Sequence, residues 1–421
     1  MFKANNPELK SWVAVAPDSD FSIQNLPFGI ASLDEKPFSA SAIGNYVINL
    51  SAAHKNGLFE GIDLPNGIFD HETLNEFIEL GKPISRAVRD RLSDILEEGN
   101  EELKAHANKA EILIPMREVR MLMPVRIGDY TDFYSSEQHA YNVGCMFRDP
   151  ENALLPNWKH IPVGYHGRAS SITVSGTDFH RPKGQTIEPN SESPDFGPTK
   201  RLDFELEMGF ITGKSNPLGA SISTDEVDDY VFGFVLFNDW SARDIQKWEY
   251  VPLGPFLAKN FFSSISPWIV TLDALEPFRT EGAAQDPEVL PYLKSQGKRN
   301  FDINLEAIIQ PEGSAECVVS RSNFKYMYWN INQQLAHHTV NGCNINVGDI
   351  YASGTISGPT PDAYGSMLEL AWKGTKPIPM PDGTERKFIH DGDSVIMRGY
   401  AKRNGVRVGF GEVRNKVLPS K

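Results

Sequence analysis

The chain has 421 residues, too many for one ordinary hydrophobic core, and its length points to two or three domains. With 40% hydrophobic and 23% charged residues it has the make-up of a soluble globular protein. A net charge of −14 argues against nucleic acid or an anionic membrane surface as a partner, yet leaves room for a locally positive site that takes an anionic substrate.

Cys145, Cys317 and Cys343 form neither a disulfide framework nor a CxxC zinc pair. Reduced, mostly buried thiols in a cytoplasmic setting are expected. The opening Met1 to Glu8 lacks the apolar core of a signal peptide, and no run approaches the ~20 apolar residues of a membrane span. Leu418 to Lys421 carries no recognised address.

Residues 1–70 read as short strands and turns, with strands over Ser11 to Ala16 and Ala42 to Leu50 and a recurrence of Gly and Pro that suits a small β-barrel. Between 71 and 108 the spacing turns helical through Leu74, Phe77, Ile78, Ile84, Val88, Leu92, Ile95 and Leu96, and Pro83 separates two helices. Glu97 to Asn108 is charged and solvated. A domain boundary is expected near 110–125 and is placed at 122/123, giving domains 1–122 and 123–421. The second domain is rich in strands: Tyr230 to Phe237, Trp268 to Leu272, Phe301 to Ile309 and Val395 to Tyr400. A helix is expected over Met327 to His338. The whole reads as a mainly β, α+β protein.

Several segments carry candidate chemistry. If Asp203 to Met208 is a strand, Asp203, Glu205 and Glu207 share one face. Carboxylates ~7 Å apart repel unless a cation or protons intervene. The segment is then either a solvated acidic edge or part of a hard-cation site for Mg²⁺ or Ca²⁺. Asp239 closes the run Tyr230 to Phe237 and is either a helix cap or a metal ligand, with Arg243 and Gln246 about one turn apart beyond it. Lys259 is either a surface charge or a site cation. His139, at the end of a segment of acids, aromatics and hydroxyls, is a candidate general base. His166, His337 and His338 offer the same temptation. No HExxH, nucleophile elbow, P-loop or dinucleotide fingerprint accompanies them.

Long stretches resemble the fumarylacetoacetate hydrolase family, long type: Ile127 to His139, Glu151 to Ser171, Asn238 to Phe256, His337 to Asn344, Ala352 to Gly358 and Gly365 to Leu370. The similarity runs from about residue 11 to the end and includes Phe21 to Phe28 and Val408 to Gly411. The resemblance implies an N-terminal SH3-like barrel, a C-terminal mixed β-sandwich roll and a homodimer. It implies hydrolysis of the carbon–carbon bond of 4-fumarylacetoacetate, a small diketo acid, to fumarate and acetoacetate, in the last step of tyrosine and phenylalanine catabolism. It implies Mg²⁺ and/or Ca²⁺ on Asp132, Glu205, Glu207 and Asp239, assisted by Lys259 and Ser263. His139 matches the base and Glu369 its orienting acid; if Glu369 is on a strand, the leucines on either side of it pack on one face and Glu369 points to the other. Arg243, Gln246 and Lys259 match groups that polarise substrate; Tyr134, Arg148, Tyr165, Tyr250 and Thr355 match further substrate contacts. Asp203 is not a ligand in the family. Phe262 and Ser263 depart from its pattern, standing where Gly and Thr are usual. Rival readings are another activity of the superfamily, such as acylpyruvate hydrolase or oxaloacetate decarboxylase, a non-catalytic protein with structural Ca²⁺, and a paired-carboxylate glycosidase.

Overall fold

In the computed structural model, which describes residues 2–421, the N-terminal part folds around a five-stranded antiparallel sheet. Its strands are β1 (Phe28–Leu33), β2 (Lys36–Ile43), β3 (Tyr46–Asn49), β4 (Leu113–Pro115) and β5 (Arg120–Leu122), in the order β4-β3-β2-β1-β5. The stretch Ala42 to Leu50 is thus a hairpin rather than one strand, because Gly44 adopts φ +54° and turns the chain inside the apolar run. Ser11 to Ala16 forms only a single bridge, Ser11 to Glu97. Helix α1 (Lys82–Leu96) carries Pro83 in its first turn, where no intrahelical donor is lost, and buries Val88, Leu92 and Ile95.

The rest of the chain builds two facing sheets. The first has eight strands and is mixed. Seven of them are β6 (Tyr130–Phe133), β7 (Gly164–His166), β8 (Ile172–Val174), β11 (Leu206–Thr212), β12 (Val231–Asp239), β14 (Ser263–Ile265) and β17 (Ile350–Ala352). Their order is β7-β6-β17-β11-β12-β14-β8, with β6–β17 and β14–β8 parallel. The second sheet joins β15 (Ile303–Gln310), β16 (Cys317–Asn323), β18 (Ser394–Arg403), β19 (Val406–Leu418) and the short β9 (Phe179–His180).

Alternation along β12 explains the layering. Phe234 and Leu236 pack with Leu305, Ala307 and Met397 between the two sheets. Val235 and Phe237 point the other way and pack with Phe28, Ile30 and Phe77 of the N-terminal part. A strand covered on both faces is apolar on both, as Val231 to Phe237 are, and all nine residues of β12 are buried. Outside the two sheets are α2 (Glu137–Phe147), β10 (Leu202–Asp203), β13 (Ser241–Ala242), α3 (Arg243–Glu249), α4 (Ile331–Thr339) and the single turn α5 (Met367–Leu370).

Four local expectations are corrected. The acidic stretch Asp203 to Met208 is broken between β10 and β11 rather than one strand. The helix expected from Met327 starts at Ile331, where Asn330 supplies a capping box with Gln333. Glu369 lies on a helical turn, not a strand. All three cysteines are free, as expected, but only half-buried.

Just beyond β17 the chain passes beneath Phe133 at Gly354, whose φ is +77° and whose missing Cβ would sit 2.1 Å from the Phe133 carbonyl oxygen. Both the left-handed backbone and the contact demand glycine. Gly354→Ala is expected to destabilise the fold by about 2–4 kcal/mol. A denaturant melt within error of wild type would show that this crossing relaxes freely.

Candidate active site and metal centre

Strand periodicity brings four acids together. Glu207 shares a face of β11 with Ile211, and Asp239 shares a face of β12 with Val235 and Phe237. Asp132 shares a face of β6 with Tyr130. The pairings Glu207 with Phe237 and Ala352 with Asp132 set these strands side by side in one sheet. Glu205 sits in the break before β11, bridged to Ser366. Asp132, Glu205, Glu207 and Asp239 are all buried, and each offers a carboxylate oxygen within 4.8 Å of the others.

The four acids are not equally compensated. Lys259 Nζ lies 2.6 Å from Asp239 and 2.8 Å from Glu205. Arg243 Nη2 lies 2.7 Å from Glu205, an ion-pair contact without aligned hydrogen-bond geometry. Burial pushes the Glu205 carboxyl up, but Lys259, Arg243 and His139 outweigh it and hold its pKa low. Asp132 and Glu207 have no cation in contact. Burial, then neighbouring carboxylates, push both well above the usual range. Asp132 Oδ1 and Glu207 Oε1 are buried without any hydrogen-bond partner. Buried carboxylate oxygens converging with no donor are the environment a hard divalent cation fits. Lys259, held protonated by Asp239 and Glu205 despite its burial, has no lone pair to give a metal. It and Ser263, whose hydroxyl donates to Asp239 at 2.9 Å, meet the quartet through its carboxylates.

Asp239 ends β12 and caps nothing; α3 begins at Arg243 without a side-chain cap. Its register instead aims Asp239 at the quartet. Phe262 has no left-handed backbone, and its ring stacks on Phe179 at 4.4 Å.

A second constellation stands beside the quartet. Ser136 caps α2 by accepting from the His139 amide, fixing where the imidazole starts. His139 is 4% exposed, and its Nδ1 lies 2.7 Å from Glu369 Oε2. Glu369 also accepts from Asn142 Nδ2, Ser357 Oγ and Ser366 Oγ, each at 2.9 Å. Burial raises the Glu369 pKa, but His139 and these donors more than offset it, so it is a carboxylate. His139 Nδ1 must therefore donate, which leaves Nε2 as the basic nitrogen.

Tyr134 packs edge-on to His139 with ring centroids 5.2 Å apart. The Tyr165 hydroxyl donates to Asp239 at 3.3 Å. Gln246 accepts from Arg243 Nη1 at 3.3 Å. Thr355 is buried with a hydroxyl that has no partner, between Gly354, which donates to Glu207, and Ser357, which donates to Glu369. Arg148 is exposed and donates to the Ala153 carbonyl, and Tyr250 is 52% exposed; neither bonds to the quartet. His337 bonds to Tyr292, and His338 packs edge-on to Tyr351, its pKa pushed down to about 4 by burial.

Sequence reasoning missed Asn142, Ser357 and Ser366. Asn142 was within reach, since it lies three residues from His139 on one helix face. Ser357 and Ser366 come from loops with no periodicity to betray them.

Residues 24–124 match the family model described as fumarylacetoacetase N-terminal, and residues 130–418 match fumarylacetoacetate (FAA) hydrolase C-terminal. The fumarylacetoacetase of Dictyostelium discoideum is 53% identical over 420 residues, covering 98% of both chains. That of Caenorhabditis elegans is 51% identical, covering 98% of this chain and 100% of its own. A solved fumarylacetoacetate hydrolase from psychrophilic Exiguobacterium antarcticum shares the fold, with a TM-score of 0.54 at 15% identity over 94% of this chain and 99% of that one. Two family models that together span most of the chain, and relatives about half identical along its length, place this chain in the fumarylacetoacetate hydrolase family.

Proposed function

We propose that this hydrolase cleaves 4-fumarylacetoacetate to fumarate and acetoacetate, the last step of tyrosine and phenylalanine catabolism. The observation that carries the reading is a buried carboxylate quartet beside an imidazole anchored by a carboxylate, in a chain with full-length fumarylacetoacetase relatives. The reading divides the chain at 122/123, takes it to be a homodimer by resemblance, and puts it in the cytoplasm on the strength of its sparse, unpaired cysteines. Among the described residues no helix is long and apolar enough to cross a membrane.

Asp132, Glu205, Glu207 and Asp239 would hold Mg²⁺ or Ca²⁺. Such an ion would supply Lewis acidity toward the keto oxygens of a 1,3-diketone. His139 Nε2 takes a proton from water, and Glu369 stabilises the imidazolium that results. The water oxygen adds to the carbonyl next to the fumaryl unit. Collapse breaks the carbon–carbon bond, and the electron pair leaves as the acetoacetate enolate, which is then protonated. Arg243, Gln246 and Lys259 stabilise that enolate. Lys259 and Ser263 also steady Asp239. Tyr134, Arg148, Tyr165, Tyr250 and Thr355 contact substrate, with Arg148 and Tyr250 reaching it from the exposed rim.

Incubation with 4-fumarylacetoacetate and chromatography of the products tests the activity: equimolar fumarate and acetoacetate are expected. Preference for an acylpyruvate or for oxaloacetate in the same panel would reassign the substrate.

Metal binding has a pH signature. The pKa values of Asp132 and Glu207 are raised, so the metal-free site holds protons there, and a cation must displace them. Affinity should weaken as pH falls, by about tenfold per pH unit for each proton displaced. Calorimetry in two buffers of different ionisation enthalpy should report proton release; identical heats would remove Asp132 and Glu207 from the ligand set.

The base and its anchor predict a pattern of losses. His139→Ala should lower kcat by ~10²–10⁴. Glu369→Gln should cost less, and the double variant should be little worse than His139→Ala alone. Fully multiplicative losses at saturating substrate and metal would mean that Glu369 does not act through His139.

A further inference from the structure

Asp203 is 0% exposed and belongs neither to the quartet nor to the imidazole pair. Its Oδ2 accepts from Arg243 Nε at 2.8 Å and from the Leu368 amide at 3.0 Å; its Oδ1 accepts from the Met367 amide at 2.7 Å. Those amides are the first two of α5, which carries Glu369. A helix start leaves such donors free, and the residue before the helix usually takes them. Here that residue is Ser366, and its hydroxyl makes no cap; it donates to Glu369 Oε2 instead. Asp203 supplies the cap from a separate strand and thereby frees Ser366 to hold Glu369.

The same carboxylate sets the guanidinium. Arg243 reaches Glu205 through Nη2 and Gln246 through Nη1, so its charge already has a counter-ion without Asp203. What Asp203 adds is a fixed orientation of Nε relative to α5. We propose that Asp203 is a positioning residue that holds Arg243 and the Glu369-bearing turn in one register, so that guanidinium and imidazole address the same substrate. This rests on the hydrolase reading above.

Asp203→Asn preserves the volume but cannot accept all three bonds, because its amide nitrogen would confront N–H donors. One arm or the other is then released. Misplacement by about 1 Å costs on the order of 10²-fold in turnover. In the metal-loaded full chain, kcat of Asp203→Asn should fall ~10²-fold with KM changed by less than about threefold, and bound metal should equal wild type. Combined with Arg243→Lys, the loss should fall well short of the product of the single losses.

Wild-type kcat with only a lower melting temperature, or fully multiplicative losses, would reduce Asp203 to a structural cap and overturn the proposal. If Asp203→Asn does not fold, Asp203→Glu decides: it keeps the charge and shifts the anchor, so lowered kcat at full metal occupancy supports the proposal and wild-type kcat overturns it. Failure of the hydrolase reading is distinct, since the wild-type chain would then be inert toward 4-fumarylacetoacetate.

Discussion

Mutual repulsion among buried carboxylates is the constraint around which the site is arranged. Four acids within 4.8 Å of one another, all out of solvent, cannot all be ionised without compensation. Lys259 and Arg243 neutralise the side of the cluster built from Glu205 and Asp239. Asp132 and Glu207 touch no cation, and each keeps one buried oxygen, Asp132 Oδ1 and Glu207 Oε1, without a donor. That asymmetry leaves an acidic cluster that could hold a divalent ion.

Holding such a cluster requires a rigid base, and the doubly covered sheet provides it. β12 is apolar over seven residues, Val231 to Phe237, because cores lie on both sides of it, and its one acid, Asp239, comes at its end. β17 joins the strands of Asp132 and Glu207, and the register sets Asp132 level with Gly209, two residues from Glu207 on the same face of β11. The imidazole pair is built differently, from a capped helix and a single turn, because His139 and Glu369 need orientation more than convergence. Asp203 joins the two constructions, touching Arg243 on one side and α5 on the other.

How much of this was legible depended on whether the signal was periodic. The run Tyr230 to Phe237 announced its strand, and alternation put Glu205 and Glu207 on one face. Asp132, Glu369 and the substrate contacts came from resemblance, since no local pattern links residues so far apart in sequence. The hairpin at Gly44 was lost inside an apolar run, where one glycine reversed the chain. Glu369 between two leucines reads as a strand by alternation, but Leu368 and Glu369 are buried on a short turn whose cap comes from Asp203, a partner no local window contains. Ser357 and Ser366 were invisible for the same reason.

The departure at Phe262 and Ser263 illustrates how a strand divides its consequences. Consecutive residues in extended chain point to opposite faces. Phe262 enters the core between the sheets and stacks on Phe179, which in turn packs on Trp240 at 4.7 Å. Ser263 faces the quartet and keeps the hydroxyl that donates to Asp239. A bulky side chain in place of glycine is therefore absorbed by an aromatic stack on the far side. On the near side only a methyl group is lost relative to threonine, and the hydrogen bond that orients Asp239 survives. A family pattern can be broken at two adjacent positions and the site retained, provided that the larger change points into a core able to repack around it.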